Sequence, residues 1–241
     1  MKKLILTTAL VALAAGAAVA QQTVRMGTEG AYPPYNFIND KGEIDGYERE
    51  LGDELCKRAN LTCTWVKNDW DSIVPNLQSG NYDTIMAGMS ITEEREKVID
   101  FTQNYIPPLA SAYASTSADA DIEGGVVAAQ TGTIQAAHVA ESGATLLEFA
   151  TGEETVAAVR NGEADAVFAD KDFLVPFVSE SSGEFTFVGE DVPLGGGVGM
   201  GLRKSDTELK EKFNAAIQSM KDDGTINAMI KKWFGDDIQT F

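Results

Sequence analysis

The chain has 241 residues and a formal net charge of −18, with 37 acidic and 19 basic side chains. Because so acidic a chain repels nucleic acid and anionic lipid surfaces, we expect neither as a partner. One histidine and two cysteines argue against a zinc site and against a catalytic Ser/His/Asp or Cys/His set. We expect no metal, no cofactor and no catalytic residues, and we expect a monomer.

Residues 1–20 have the pattern of a secretory signal peptide. They begin with Met1-Lys2-Lys3, continue as an apolar stretch and end in Ala18-Val19-Ala20. The apolar stretch is too short for a good membrane span, and no cysteine lies near the expected cut after Ala20 to carry a lipid anchor. We therefore expect an exported, unanchored, soluble protein of the periplasm.

Strands and helices alternate through the first part of the chain. Apolar spacing and turn residues predict strands at 24–28, 62–66 and 82–88, helices at 47–59 and 71–78, and an irregular aromatic loop at 31–35. Such alternation is typical of a parallel sheet covered by helices.

A break at 101–108, stiffened by two prolines, separates this part from a second alternating unit. That unit is predicted to contain strands at 126–129, 164–169 and 198–202, a helix opening at 132–133, and helices at 154–160, 207–222 and 225–233. We predict that the glycine cluster at 195–197 is a flexible crossing, because a phosphate-binding loop needs a Gly-x-Gly-x-x-Gly spacing that does not fit here. His138 is predicted to lie on a solvated helix face.

A polar run from Gly88 to Arg95 carries the first functional signal. It follows an apolar stretch that predicts a buried strand, and Thr92 is typical of a helix N-cap. Ser90 would then lie at the end of the strand, and Arg95 would lie in the first helical turn. A hydroxyl, backbone N–H groups and a guanidinium would meet there, and such a set binds carboxylates. The alternative is the solvated start of a surface helix.

Cys56 and Cys63 are the only two cysteines of the chain. In an oxidising compartment they can pair, and closing so short a loop would stabilise the fold by about 2–3 kcal/mol. The alternative is two free thiols.

Six short motifs occur in the order in which they occur in a known family. They are Thr28-Glu29-Gly30-Ala31-Tyr32-Pro33-Pro34, Asp69-Trp70-Asp71-Ser72-Ile73-Val74-Pro75, Met89-Ser90-Ile91-Thr92-Glu93-Glu94-Arg95, Gln130-Thr131-Gly132-Thr133, Gly162-Glu163-Ala164-Asp165-Ala166-Val167 and Lys231-Lys232-Trp233-Phe234-Gly235. Over 23–235 the chain resembles the periplasmic amino-acid-binding proteins of ABC importers, the family 3 solute-binding proteins with lysine/arginine/ornithine-, histidine- and glutamine-binding members. The spacing of Cys56 and Cys63 also resembles the disulfide of the first two of these groups.

The resemblance implies an α/β protein with the two-lobed, type II periplasmic binding protein fold, whose ligand lies in the cleft between the lobes. Lobe 1 would hold 21–107 and 196–241, and lobe 2 would hold 111–190. Two hinge crossings, 106–110 and 190–197, would join the lobes and let them close around a ligand.

The resemblance also assigns residues to the two charged groups of an amino acid. Arg95 and Ser90 would bind the α-carboxylate, and Thr133 would add N–H groups at the positive end of a helix. The alternative for Thr133 is a plain N-cap. Asp170, which follows a strand, would bind the α-ammonium together with the Gly88 carbonyl. The alternative for Asp170 is a cap of the next helix.

Four further residues match positions around the ligand's side chain in relatives. Tyr32 and Trp70 match stacking aromatic rings, with core packing as the alternative for both. Glu29 matches an acid that holds the distal polar group of the ligand. Gln135 matches a ligand-contacting glutamine, and a surface helix position is its alternative.

Two departures from the family pattern bear on the ligand. Ala87-Gly88 stands where the lysine/arginine/ornithine-binding relatives have a serine pair, so a hydroxyl is lost and space is gained. Gln130 replaces an apolar residue. The added space argues against one particular basic amino acid and admits a bulkier, opine-like ligand.

We therefore expect a binding protein that captures a basic or polar L-amino acid and delivers it to a membrane ABC permease. Candidate ligands are arginine, lysine, ornithine, histidine and an opine-like derivative. One alternative is a cyclohexadienyl-type dehydratase on the same fold, with Glu29 or Asp170 as its general acid or base. Another is a binding protein that reports to a sensory receptor.

Overall fold

The computed structural model describes residues 23–241, so the predicted signal peptide lies outside the described residues. The strands, in chain order, are β1 Thr23–Thr28, β2 Ala31–Tyr32, β3 Asn36–Ile38, β4 Ile44–Asp45, β5 Thr62–Lys67, β6 Thr84–Ile85, β7 Asp100–Ile106, β8 Ala110–Ser115, β9 Val126–Gln130, β10 Thr145–Phe149, β11 Ala166–Asp170, β12 Thr186–Pro193 and β13 Val198–Leu202. The helices are α1 Tyr47–Arg58, α2 Ile73–Gln78, α3 Glu93–Glu96, α4 Ile134–Glu141, α5 Gly152–Arg160, α6 Lys171–Ser179, α7 Thr207–Asp222 and α8 Thr225–Phe234.

Two five-stranded sheets divide the protein into two lobes. Lobe 1 contains the sheet β5-β1-β6-β13-β7, the small sheet β2-β3-β4 and helices α1–α3, α7 and α8. Lobe 2 contains the sheet β10-β9-β11-β8-β12 and helices α4–α6. The predicted α/β, two-lobed fold is therefore present.

Both large sheets are mixed, so the expectation of a parallel sheet was incomplete. In lobe 1, β1 runs parallel to β5 and β6, whereas β13 is antiparallel to β6 and β7. In lobe 2, β9 runs parallel to β10 and β11, whereas β8 is antiparallel to β11 and β12. The antiparallel pairs involve β7, β8, β12 and β13, the strands on either side of the two points where the chain passes between the sheets. Strand–helix alternation in the sequence does not reveal the direction of these strands.

The chain passes between the sheets through 107–109 and through 194–197. The break predicted at 101–108 is wrong for most of its length, because 100–106 is the edge strand β7. Polar residues such as Gln103 are typical of a loop, but here Gln103 contacts the neighbouring helix α7. The Gln103 backbone N–H donates to Asn214 Oδ1 at 2.7 Å, and Gln103 Nε2 donates to the Asn214 carbonyl at 2.8 Å.

The strand predicted at 82–88 is much shorter in the structure, where only Thr84–Ile85 pair as β6. Met86 adds one more backbone hydrogen bond, to the Gly27 carbonyl of β1 at 2.8 Å, and the chain then turns at Gly88, whose φ is +61°. The residues around this turn stay buried, which extended the strand-like pattern beyond the paired residues. The aromatic loop predicted at 31–35 likewise contains the short strand β2.

Helix α1 joins the lobe 1 core as its four-residue spacing predicts. Tyr47, Leu51 and Leu55 are fully buried on one face of the helix. Near the end of α1, Cys56 forms a disulfide with Cys63 of β5, so the alternative of two free thiols is excluded. The disulfide ties α1 to the edge strand of the lobe 1 sheet.

Two further observations concern the helices between residues 23 and 241. None of them is long and apolar enough to cross a membrane. His138 on α4 was predicted to be solvated, but it is half-buried, with its ring centroid 5.2 Å from that of Phe168. The reason is that α4 packs this face against β11.

Candidate ligand-binding cleft

A small cavity of about 20 Å³ lies between the closed lobes, and every ligand-contacting residue predicted from the sequence lines it. Lobe 1 contributes residues that follow β1, β5 and β6, and lobe 2 contributes the last residues of β9 and β11, together with the start of α4. The lining residues are Glu29, Tyr32, Trp70, Ala87, Gly88, Ser90, Arg95, Gln130, Thr133, Ile134, Gln135 and Asp170. Their contacts with a ligand stay a prediction.

Arg95 points from lobe 1 into the cavity, as its place after the Thr92 N-cap requires. Thr92 Oγ1 accepts a hydrogen bond from the Arg95 backbone N–H at 3.1 Å. The guanidinium donates to the Ser90 carbonyl at 2.8 Å and, across the cleft, to the Gly132 carbonyl at 3.3 Å. Its central carbon lies 5.4 Å from the centroid of the Trp70 ring. The site therefore holds a cation whose bonding partners are neutral.

Burial lowers the pKa of the Arg95 guanidinium to about 10, while the nearby Asp170 carboxylate raises it. The group still carries its charge at neutral pH. A partly desolvated cation bound only to carbonyl oxygens attracts an anion more strongly than a solvated one does, because the surrounding dielectric constant is lower.

Asp170 enters the cavity from the end of β11 in lobe 2. Its Oδ2 accepts a hydrogen bond from the Tyr32 hydroxyl of lobe 1 at 2.8 Å, and its Oδ1 accepts one from Gln135 Nε2 at 2.8 Å. Asp170 occupies the N-cap position of α6, but its side chain makes no capping hydrogen bond, so the capping alternative describes its position and not its contacts. Burial raises the pKa of the Asp170 carboxyl, whereas its two donors and Arg95 lower it.

Gln135 is buried, so the alternative of a surface helix position is wrong. Its side-chain nitrogen donates to Asp170 and also to the Ser111 hydroxyl at 2.9 Å. This amide therefore links α4 to the ends of β8 and β11 and fixes the orientation of the Asp170 carboxylate.

Glu29 lies at the end of β1 and is almost fully buried. Its Oε1 accepts a hydrogen bond of 2.7 Å from Gln130 Nε2 of the opposite lobe, and the same nitrogen donates to the Ala150 carbonyl at 3.0 Å. Burial raises the pKa of the Glu29 carboxyl to about 7, against the lowering effect of Gln130 and of Lys67. Near neutral pH the Glu29 carboxyl is therefore protonated in part of the molecules and ionised in the rest.

Thr133 begins α4 at the wall of the cavity. Its hydroxyl accepts from the Ala136 N–H at 3.1 Å and donates to the Gln130 carbonyl at 2.7 Å. The hydroxyl thus works as the N-cap that the alternative described, and Thr133 also lines the cavity. The start of α4, with N–H groups that lack helical partners, faces the same space.

The two aromatic residues of the site differ in their packing. The Tyr32 ring stacks on Phe173 of lobe 2, with centroids 4.2 Å apart and planes at 7°. Trp70 belongs to a core cluster of lobe 1 that includes Ile73 and Leu77. Tyr32 belongs to the main core cluster of the protein, so both residues are core residues as well as parts of the cavity wall.

The lobes are closed on each other by polar contacts between predicted ligand-binding groups. Tyr32 binds Asp170, Glu29 binds Gln130, and Arg95 binds the Gly132 carbonyl, each across the cleft. A ligand with both a carboxylate and ammonium groups could replace these contacts with charge-matched ones.

Residues 24–236 match the model of the bacterial extracellular solute-binding proteins, family 3. The chain belongs to this family. The family assignment made from the six motifs is confirmed.

Named relatives of this solute-binding protein bind amino acids. It is 34% identical to the histidine-binding periplasmic protein of Escherichia coli K12 over 264 residues, covering 99% of each chain. It is 31% identical to the lysine/arginine/ornithine-binding periplasmic protein of the same organism, covering 97% of each chain. A crystal structure of a periplasmic His/Glu/Gln/Arg/opine family-binding protein from Silicibacter pomeroyi in complex with lysine is 77% identical, with a TM-score of 0.89, covering 90% of this chain and 100% of that one.

Two features of the solute-binding protein's cleft were missed from the sequence. Ile134 adds an apolar wall directly after the Thr133 N-cap, and the Thr-Ile order at a helix start could have suggested it. Glu48, from the first turn of α1, does not line the cavity, but it accepts a hydrogen bond from the backbone N–H of Gly88, which does. No group of three or more His, Cys, Asp and Glu side chains that could hold a metal occurs in the described part, 23–241.

Proposed function

We propose that the protein binds an L-amino acid with a basic side chain between its lobes and delivers it to an ABC permease from the periplasm. The observation that supports this most is that Arg95 and Asp170, which carry opposite charges and come from opposite lobes, line one cavity. The named relatives support it as well, since they bind histidine, lysine, arginine or ornithine.

In this proposal the α-carboxylate binds the Arg95 guanidinium, helped by Ser90 and by the N–H groups around Thr133 at the start of α4. The α-ammonium binds the Asp170 carboxylate and the Gly88 carbonyl. Each charged end of the ligand therefore meets a group of opposite charge, and both lobes take part.

The ligand's side chain would extend between the Tyr32 and Trp70 rings towards Glu29. A distal ammonium or guanidinium would displace Gln130 from Glu29 or share the carboxylate with it, and it would favour the ionised form of Glu29. Ala87 leaves room beside the chain, which admits an opine-like ligand in addition to lysine, arginine, ornithine and histidine.

Closure would use the two crossings between the sheets. We propose the predicted crossings 106–110 and 190–197 as the hinge segments. The parts of them that lie outside strands are 107–109 and 194–197, because residues up to Pro193 belong to β12 of lobe 2. The ligand would enter with the lobes apart, and the closed form would be the one that the permease recognises.

We also propose that the protein binds its ligand without converting it. Its named relatives are binding proteins. Glu29 and Asp170, the acids that a dehydratase would need, are better matched to the positive groups of a bound amino acid. Mixing the protein with prephenate or arogenate and following absorbance for product should show no turnover.

Calorimetric titration tests the proposed function. The purified protein, unfolded and refolded to remove bound ligand, is titrated with each common L-amino acid, ornithine and octopine. We expect saturable binding of at least one basic ligand with a low-micromolar or smaller Kd. Absence of heat with every ligand of the panel, confirmed by an unchanged melting temperature, would reject the proposal.

A further inference from the structure

Glu48, in the first turn of α1, is fully buried, and three donors surround its carboxylate. Its Oε2 accepts a hydrogen bond from Asn36 Nδ2 at 2.7 Å. Its Oε1 accepts one from the Gly88 backbone N–H at 2.7 Å and another from the Tyr105 hydroxyl. A buried carboxylate with this many specific donors is costly to replace, because each donor would lose its acceptor.

Asn36 extends this network to a second loop of the cleft. Its Oδ1 accepts a hydrogen bond of 2.7 Å from the Gly30 backbone N–H, next to Glu29. Glu48 therefore holds the loop after β6 directly and the loop after β1 through one side chain.

Both held glycines have backbone conformations that favour glycine, with φ of +71° at Gly30 and +61° at Gly88. Backbone hydrogen bonds also hold the residues beside Gly88, from the Met86 N–H to the Gly27 carbonyl of β1 and from the Gly199 N–H of β13 to the Met89 carbonyl. The N–H groups of Gly30 and Gly88 themselves, however, are bound by this side-chain network. Tyr105 lies in β7 just before the 107–109 crossing, so the same carboxylate also connects these loops to the strand that leads to lobe 2.

We propose that Glu48 is a positioning residue that sets ligand affinity without touching the ligand, by holding the Gly30 and Gly88 loops at the spacing that the bound amino acid needs. This inference rests on the proposed function. A positional error of about 1 Å in a binding loop is enough to lose most of the gain from a charge-matched contact.

The chemistry requires a carboxylate, and an amide of the same size does not replace it. In Glu48→Gln one oxygen becomes an NH₂ group, which faces the Gly88 N–H if it takes the place of Oε1 and the Asn36 NH₂ group if it takes the place of Oε2. If the Asn36 amide turns over to accept from it, its own NH₂ group then faces the Gly30 N–H. One arm of the network is broken in either case.

Burial raises the pKa of the Glu48 carboxyl above its ordinary value, and three hydrogen-bond donors oppose this shift. The groups that face it are Tyr105 from β7, Gly88 from the loop after β6 and Asn36 from β3, and all three lower the pKa by donating hydrogen bonds. Its place in the first turn of α1 adds the positive end of that helix.

The test compares Glu48→Gln with Asp83→Asn, a matched change of another partly buried acid. Asp83 accepts hydrogen bonds from Arg25 and Arg203 and does not line the cleft. At a temperature where both variants are folded, we expect the Kd of lysine to rise at least about tenfold in Glu48→Gln. We expect it to stay within about twofold in Asp83→Asn, even where that variant melts earlier.

Amide NMR spectra of the ligand-free protein give a second readout. In Glu48→Gln the Gly88 or Gly30 amide proton should shift upfield and exchange faster with solvent, while amides of β1 and β5 keep their exchange rates. Asp83→Asn should leave both glycine signals in place.

Three outcomes would overturn the inference. They are a wild-type Kd in Glu48→Gln, an equal loss of affinity in Asp83→Asn, and unchanged Gly30 and Gly88 amide signals in Glu48→Gln. If Glu48→Gln does not fold, Asn36→Ala replaces it, and a wild-type Kd there would also overturn the inference. Failure of the proposed function is recognised separately, because the wild-type protein itself would then bind no amino acid, while the amide signals would still report whether Glu48 holds the loops.

Discussion

At the scale of single residues, Arg95 distinguishes the cleft from an ordinary ion-paired surface. Its guanidinium donates to two carbonyl oxygens, and no carboxylate within 23–241 lies at ion-pair distance from it. Fourteen ion pairs occur elsewhere in that range, so most cations of this acidic protein lie close to a carboxylate and Arg95 does not. A cation left with neutral partners is available for the carboxylate of a ligand.

Replacing Arg95 by alanine should therefore abolish amino-acid binding and leave the fold intact. We expect the Kd to rise more than about a hundredfold, since a partly buried charge-assisted contact is lost. Arg95→Lys should also bind poorly, because an ammonium cannot form the two-pronged contact of a guanidinium. Calorimetry checks both variants, with Arg160→Ala, which removes an exposed ion pair with Glu184, as the control. Retained affinity in Arg95→Ala would show that the carboxylate binds elsewhere.

Glu29 should make lysine binding depend on pH. The pKa of its carboxyl is raised to about 7 in the closed protein, so below that pH the carboxyl holds a proton that a cationic side chain must expel. Affinity for lysine should fall as the pH is lowered from 8 to 5, by up to about tenfold per unit below 7. Above 7 the dependence should flatten.

Kd values measured across this pH range, for the wild type and for Glu29→Gln, check this prediction. The variant should bind lysine more weakly at pH 8 and should lose most of the slope. A slope that persists unchanged in Glu29→Gln would assign the titration to another group.

At the scale of elements, the backbone conformation of the second crossing between the lobes requires glycine at one position. Gly197 has a φ of +88°, and a Cβ there would lie 2.5 Å from the Ile106 carbonyl oxygen. At Gly196 the nearest atom to such a Cβ would be 3.5 Å away, and its φ is not in the left-handed region. Gly197 is therefore a test position for backbone strain, and the adjacent Gly196 is its matched control.

Gly197→Ala should lower the free energy of unfolding by more than about 1 kcal/mol, because the new methyl group strains the crossing and meets the end of β7. Gly196→Ala should change it by less than about 0.5 kcal/mol. Chemical denaturation of the ligand-free variants measures both values. Equal effects at the two positions would show that the close approach to Ile106 does not govern stability here.

The elements also show which sequence signals were reliable. Amphipathic helices such as α1 and α7 were predicted because their buried face recurs every three or four residues. Strand β7 was not, because its polar residues bind a helix, and the strand at 82–88 was overextended, because buried loop residues resemble buried strand residues. Local patterns report burial, and burial does not require a ladder.

At the scale of the whole molecule, the closed arrangement should be stabilised by ligand. Anything that binds the native state alone adds about 4.1 kcal/mol at a concentration of about 1,000 times its Kd. For a protein of this size that corresponds to a rise in melting temperature of about 8–16 °C.

Scanning calorimetry with saturating lysine checks this expectation. L-glutamate, whose side chain has the charge of Glu29, is the control ligand and should give a much smaller shift. The Arg95→Ala variant should give none with lysine. A lysine shift that survives in that variant would indicate binding outside the cleft.

The sequence by itself determined the family, the two α/β units and eleven of the twelve residues that line the cleft, since each of these follows a recognisable strand end, helix start or motif. Only the tertiary structure decided which of these residues pair across the lobes, that Gln135 is buried against Asp170, and that Glu48 holds two separate loops. Those contacts join residues far apart in the chain, such as Tyr32 with Asp170, and no local periodicity carries information about them. The closing of one lobe on the other creates the Tyr32–Asp170 contact, whereas Gln135 and Glu48 find their partners within one lobe. In each case a buried polar group needs a partner.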